Sequence, residues 1–196
     1  MDGCVATHFA GSGKTSAQLE VTSPRSMELV TLNQLSEPEF VAVIGPLFEH
    51  SSWIAARGAG KRPFGSVDEL YEQLQAIVAQ ATLDEQIGLI CAHPDLAGKL
   101  AIAGELTDQS ALEQKSARLD QLTAEQFTRI TALNDRYRER FGFPFVICVR
   151  DHSQAEIFDE FERRLRNDRS GEILAALAQI GRIAWHRLKA LMSLEQ

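Results

Sequence analysis

One pattern, a serine or threonine followed three residues later by glutamate or glutamine, recurs along this chain, and five of its occurrences read as helix starts. They are Ser36-x-x-Glu39, Ser66-x-x-Glu69, Thr82-x-x-Glu85, Thr123-x-x-Gln126 and Ser153-x-x-Glu156. At that spacing the two side chains can satisfy each other's free backbone N–H groups, which marks the start of a helix. Apolar residues then recur at helical spacing, as in Leu70, Leu74, Ile77 and Val78, and again in Ile173, Leu174, Leu177, Ile180 and Ile183. The pattern predicts helices at 36–48, 66–81, 83–92, 110–119, 123–140, 153–167 and 171–192. Only 143–149 reads like a strand. Pro144, and the lack of a second apolar run to pair with, make it an extended segment rather than a sheet. The expectation is an all-α fold: a single compact multi-helix domain over 27–196 with one short extended segment near 143–149.

Residues 1–26 have no apolar periodicity and are expected to be a flexible N-terminal extension, with Met27 the natural beginning. Gly11-Ser12-Gly13-Lys14-Thr15 looks like the end of a phosphate-binding loop, but the required glycine at position 8 is His8 and no strand precedes it. The stretch also lacks the apolar core of a signal peptide. A length of 196 residues, with 44% hydrophobic and 24% charged residues, suits one soluble globular domain. The net charge of −7 argues against nucleic-acid and anionic-membrane binding. No apolar run approaches the ~20 residues that span a bilayer. Cys4, Cys91 and Cys148 are odd in number and have no metal-ligand spacing, so neither a disulfide framework nor a zinc site is expected. Cys91 and Cys148 read as small core residues, and a reducing, cytoplasmic setting fits them.

His93-Pro94-Asp95-Leu96-Ala97-Gly98-Lys99 ends the apolar run from Leu83 to Ala92. The proline should stop the helix at His93, where the negative end of the helix dipole favours a protonated ring. Such a histidine is either a polar cap or a proton donor. Ser110-Ala111-Leu112-Glu113-Gln114 reads as a sixth capping box, and a helix start also offers free N–H groups to a polar ligand. Phe141-Gly142-Phe143-Pro144-Phe145-Val146-Ile147-Cys148-Val149 brings extended backbone whose polar groups need partners, either within the protein or on a planar, amide-rimmed ligand. Arg187, four residues past Ile183, falls beside the last apolar stripe and needs a carboxylate from the protein or from a substrate.

Taken in order, His-Pro-Asp-Leu at 93–96, Ser-x-x-Glu-Gln at 110–114, Phe-Gly-Phe-Pro-Phe-Val-Ile-Cys at 141–148 and Arg-Leu at 187–188 resemble the 2-oxo-4-hydroxy-4-carboxy-5-ureidoimidazoline (OHCU) decarboxylases of urate breakdown. The similarity runs from about 32 to 190 and includes Trp53 and Arg62-Pro63-Phe64. It implies an all-α enzyme that works without a cofactor and forms S-allantoin by losing carbon dioxide. It further implies His93 as proton donor, with Glu113 also catalytic. Pro94, Ser110, Ala111, Leu112, Glu113, Gln114, Phe145, Val146, Ile147, Cys148, Val149 and Arg187 would bind the substrate. Arg164 and Arg182 compete with Arg187 for the anion contact. The family usually has Ala-Gly-Leu-Asp where this chain reads Ala117-Arg118-Leu119-Asp120.

The implied chemistry suits these groups. The substrate carries its carboxylate next to a ring C=N that can take up the electron pair, so the protein supplies orientation, hydrogen bonds and a proton. Glu113 would hold either His93 or the substrate hydroxyl. The expected partner is this small molecule, with no nucleic acid and no membrane, and a homodimer is compatible. Two rival readings differ in kind. His-Pro-Asp also marks the J-domain, which presents it to a chaperone ATPase after a basic helix, whereas 83–92 here holds two acids and no base. A metal-dependent hydrolase using His93, Asp95 and Glu113 would need a second histidine at ligand spacing, and none is present. A general helical binding protein with an apolar pocket remains as the third reading.

Overall fold

The structure, a computed structural model, describes residues 27–98 and 106–194. The expected extension at 1–26 lies outside these residues, as do Cys4 and Lys99. Nine α-helices are described: α1 Leu29–Gln34, α2 Glu37–Ile44, α3 Trp53–Ala59, α4 Val67–Ala79, α5 Leu83–Cys91, α6 Asp108–Ser116, α7 Ala124–Phe141, α8 Gln154–Arg164 and α9 Arg169–Leu191. Single 3₁₀ turns lie at Gly45–Leu47, Leu119–Gln121 and Val149–Asp151. No strand occurs among the described residues. The all-α expectation holds, and no helix described is long and apolar enough to cross a membrane.

Four of the five expected capping boxes close fully, before α2, α5, α7 and α8. Ser66 accepts from the Glu69 N–H at 3.0 Å, but the Glu69 carboxylate turns to the Gly65 N–H at 2.6 Å instead. The sixth box is a correction. Thr107, not Ser110, caps α6, accepting from the Ser110 N–H at 3.3 Å, so Ser110 sits in the first turn and Glu113 is released from capping. Helices α1 and α3, of six and seven residues, fell below what periodicity can register.

The core is one apolar cluster that draws on every helix except α6. Helix α9 is its spine, packing on α4, α5 and the Gly45–Leu47 turn, while α2 lies on α3 and α3 on α4. The 144–148 stretch is extended and unpaired, as expected, and runs buried through the protein. Its backbone is met from within: Arg164 Nη1 donates to the Val146 carbonyl at 2.7 Å, and the Cys148 N–H donates to Gln179 Oε1 at 2.9 Å. Arg164, only 1% exposed, is held by Glu172 from α9, whose other oxygen accepts from Asn167 Nδ2 at 2.7 Å. Cys148 is buried as expected, whereas Cys91 is exposed, because it falls on the outward face of the last turn of α5.

Candidate active site

The chain leaves α5 after Cys91, one residue earlier than predicted, and turns into His93-Pro94-Asp95. Three anchors hold this loop. Gln114 Oε1 accepts from the Ala97 N–H at 3.0 Å, Asn134 Nδ2 donates to the Leu96 carbonyl at 2.9 Å, and Arg138 Nε donates to Asp95 Oδ1 at 3.0 Å. Gln114 therefore positions the loop with its amide.

His93 is 6% exposed, and its Nδ1 lies 3.0 Å from the Leu89 carbonyl. A carbonyl only accepts, so Nδ1 carries the hydrogen and Nε2 keeps the lone pair in the neutral ring. Burial pushes the imidazole below its ordinary value, and the raising effects of the Leu89 carbonyl and of Glu49 do not offset it. The helix end suggested a protonated ring, whereas burial favours the neutral imidazole.

Arg187 arrives from α9, 5% exposed, and forms a two-pronged pair with Glu113: Nε to Oε1 and Nη2 to Oε2, both at 2.8 Å. Its Nη1 donates to Glu49 Oε2 at 3.1 Å and to the Pro46 carbonyl at 3.3 Å, and Nη2 also reaches Ser110 Oγ at 3.3 Å. Burial works against the charge, but the two carboxylates keep the guanidinium above its ordinary value. The other two arginines are occupied elsewhere. Arg164 pins the extended segment, and Arg182, with its side chain 58% exposed, pairs with Asp151.

Of the expected residues, His93, Pro94, Ser110, Glu113, Gln114, Phe145, Val146, Ile147, Val149 and Arg187 line one cavity of about 30 Å³, completed by Leu96 and Ile183. Cys148 lies just behind, on a void of about 10 Å³ shared with Glu113. Ala111 and Leu112 are not brought to this cavity. Both point outward from α6, Leu112 being 65% exposed, because the inward face of that helix carries Ser110, Glu113 and Gln114. On the far side of His93 and Pro94 opens a larger cavity of about 610 Å³, bordered by Glu49, Asp95, Thr107 and Asn134.

Sequence reasoning missed Glu49 and Thr107. Thr107 lies at the edge of the small-residue loop and shows no box partner. Glu49 has one signal, an acid placed directly after the apolar pair Leu47-Phe48, outside any helix. Burial works to raise the Glu49 carboxyl, but the Thr107 hydroxyl and Arg187 hold it below the usual carboxylate range.

Among the described residues, one group has metal-ligand chemistry: Cys148, Asp151 and His186, with ligand atoms within 4.8 Å of one another. Its donors are already engaged. Asp151 accepts from Arg182 Nε at 2.6 Å and lies 2.9 Å from His186 Nε2, while burial and Asp151 push the Cys148 thiol up to about 12. The cluster reads as a hydrogen-bonded brace between the Val149–Asp151 turn and α9.

Comparison with known proteins matches the OHCU decarboxylase family model to residues 33–189. A 2-oxo-4-hydroxy-4-carboxy-5-ureidoimidazoline decarboxylase of Haloferax volcanii is 41% identical over 169 residues, covering 86% of this chain and 98% of that protein. The corresponding Mus musculus protein is 36% identical over 166 residues, covering 85% and 93%. A uric acid degradation bifunctional protein of a Bacillus species is 40% identical over 165 residues, and the chain spans 32% of its length. In three dimensions the chain is similar to a crystal structure of (S)-allantoin synthase, with a TM-score of 0.68 at 25% identity, covering 85% of this chain and 54% of that one. The fold is shared with a crystal structure of an OHCU decarboxylase, with a TM-score of 0.62 at 20% identity, covering 81% and 99%. The His93-Pro94-Asp95 tripeptide falls inside the matched span, and the chaperone-module reading falls with it. From residue 33 to residue 189, this chain belongs to the OHCU decarboxylase family.

Proposed function

We propose that this protein is a carboxy-lyase of urate breakdown, converting 2-oxo-4-hydroxy-4-carboxy-5-ureidoimidazoline to (S)-allantoin and carbon dioxide. The observation that carries this reading is the match to named decarboxylases along nearly the whole of both chains. The meeting of His93, Glu113 and Arg187 at one cavity within that span supports it.

In this reading the substrate carboxylate leaves as carbon dioxide and its electron pair moves into the neighbouring ring C=N. The ring nitrogen takes one proton from water. The resulting enol then passes its hydroxyl proton to Nε2 of neutral His93, and the imidazolium returns a proton to the adjacent carbon on one face, closing the C=O. His93 is thus the proton donor after first acting as acceptor, a role suited to a ring whose Nδ1–H is fixed on the Leu89 carbonyl. Glu113, clamped by Arg187, is the group placed to orient the substrate hydroxyl beside His93. The backbone of 145–149 offers the remaining edge to the substrate amides. A void of about 30 Å³ holds little more than one water, so the substrate would sit at the junction with the larger cavity across His93. A cytoplasmic setting, with Cys91 and Cys148 as free thiols, suits this reading.

The test is to supply freshly generated OHCU and follow the circular dichroism of the allantoin formed. Faster, single-enantiomer production than in buffer is expected. A rate and enantiomer ratio equal to the buffer control would overturn the reading.

A further inference from the structure

Among the described residues, Glu49 is one of three glutamates nearly out of reach of water, with Glu113 and Glu172, and it lies outside any helix. Glu49 follows Leu47-Phe48 and is 4% exposed. A carboxylate at that depth needs strong partners. Its Oε1 accepts from Thr107 Oγ1 at 2.6 Å, and its Oε2 accepts from Ser110 Oγ and from Arg187 Nη1, both at 3.1 Å. Arg187 and Ser110 also bond to each other, at 3.3 Å. Glu49 therefore grips one end of the guanidinium whose other edge holds Glu113.

Charge makes the arrangement directional. Two buried carboxylates meet one guanidinium, so one negative charge is left over, and a proton on His93 would balance it. His93 lines the larger cavity together with Glu49, which comes from beyond the Gly45–Leu47 turn, and the small cavity together with Glu113 from α6 and Arg187 from α9. His50, Asp95, Asp135 and Arg138 also border the larger cavity. We infer that Glu49 is a positioning residue of this site: it locks Arg187 and Ser110 so that Glu113 stays at the cavity, and its charge supports the proton that His93 carries between steps. The chemistry in this inference rests on the decarboxylase reading, whereas the contacts do not.

Two variants separate the roles. Glu49→Gln keeps the shape and removes the charge, while Glu49→Asp keeps the charge and shortens the reach. The His93 imidazole is followed by NMR against pH, its signal assigned by its loss in His93→Asn. In folded Glu49→Gln, the His93 titration is expected about one pH unit lower than in wild type, since a facing negative charge has been removed. The acid limb of kcat/KM should move the same way, with kcat reduced about tenfold or more and KM changed less. Glu49→Asp should leave the titration in place and still lower kcat. An unmoved His93 titration in folded Glu49→Gln overturns the inference, and so does a loss of kcat that only tracks melting temperature. Should Glu49→Gln not fold, wild-type kcat in Glu49→Asp overturns it. The titration needs no turnover, so a wild-type protein inactive on OHCU sinks the decarboxylase reading while the NMR arm still decides Glu49.

Discussion

Arg187 has five N–H donors, and Glu113, Glu49, Pro46 and Ser110 between them accept all five. An anionic group could reach it only by displacing one of these partners, which favours a role in holding Glu113 over a direct substrate contact. Arg187→Lys should therefore cost activity at least ~100-fold, because an ammonium cannot hold the carboxylate by two parallel bonds. Arg182→Met, at an exposed pair, should turn over normally and change stability by no more than ~0.5 kcal/mol. Kinetics and melting curves on the two variants check this, and an inactive Arg182→Met would move the site to the wrong face of α9. Glu113→Gln probes the other half of the pair. It is expected to lower kcat at least ~100-fold, and also to destabilise by ~1–3 kcal/mol, since it breaks a buried charged pair rather than a cap. A folded Glu113→Gln with near-normal kcat would remove Glu113 from the chemistry.

At the scale of elements, the departure at Arg118 finds its physical reason. Arg118 links α6 to the Leu119–Gln121 turn with φ 55° and ψ 31°, in the left-handed region where a Cβ crowds the following carbonyl. Glycine is the residue that such a link favours. The hydrogen bonds at this position use the backbone: the Arg118 carbonyl accepts from the Gln121 N–H at 3.0 Å and from Gln154 Nε2 at 3.3 Å, and its N–H donates to the Lys115 carbonyl at 2.9 Å, so all three survive replacement by glycine. Arg118→Gly should stabilise the protein by ~0.5–1 kcal/mol, a rise of about 2 °C in Tm, with kcat unchanged. An unchanged or lower Tm in a thermal melt would show that the link carries no strain. The same scale explains the cap of α6. Thr107 donates its hydroxyl proton to Glu49 and accepts from the Ser110 N–H, so one side chain joins the helix start to the buried cluster.

For the whole molecule, burying a neutral His93 ties stability to pH. Its folded-state value lies below the ordinary ~6.5, so the unfolded chain binds the extra proton first as pH falls. That contribution is complete above about 6.5 and is lost as pH drops through the folded-state value. Glu49, held below its ordinary value, adds a contribution that is complete above ~4.3 and is lost further into acid. Urea midpoints should therefore begin to fall below about pH 6.5 in wild type, while in His93→Asn the fall should begin only near the carboxylate range. Identical profiles would mean that His93 does not titrate differently on folding.

Much of this architecture was legible along the chain, because capping and amphipathic spacing are local: each box needs four residues, and each apolar stripe a few turns. The exposed faces at Ala111 and Leu112, the true cap at Thr107 and the neutral state of His93 were not, since each depends on what packs against the segment from elsewhere. Glu49 shows the limit most clearly. Its one local mark, an acid directly after Leu47-Phe48, does not reveal that Arg187, Ser110 and Thr107 surround it. The sequence by itself determined seven of the nine described helices, the extended break near 143–149 and the order of the site motifs. Only the tertiary structure decided which charges are buried together, because burial, and with it the strength of every ionic contact, is a property of the packed whole.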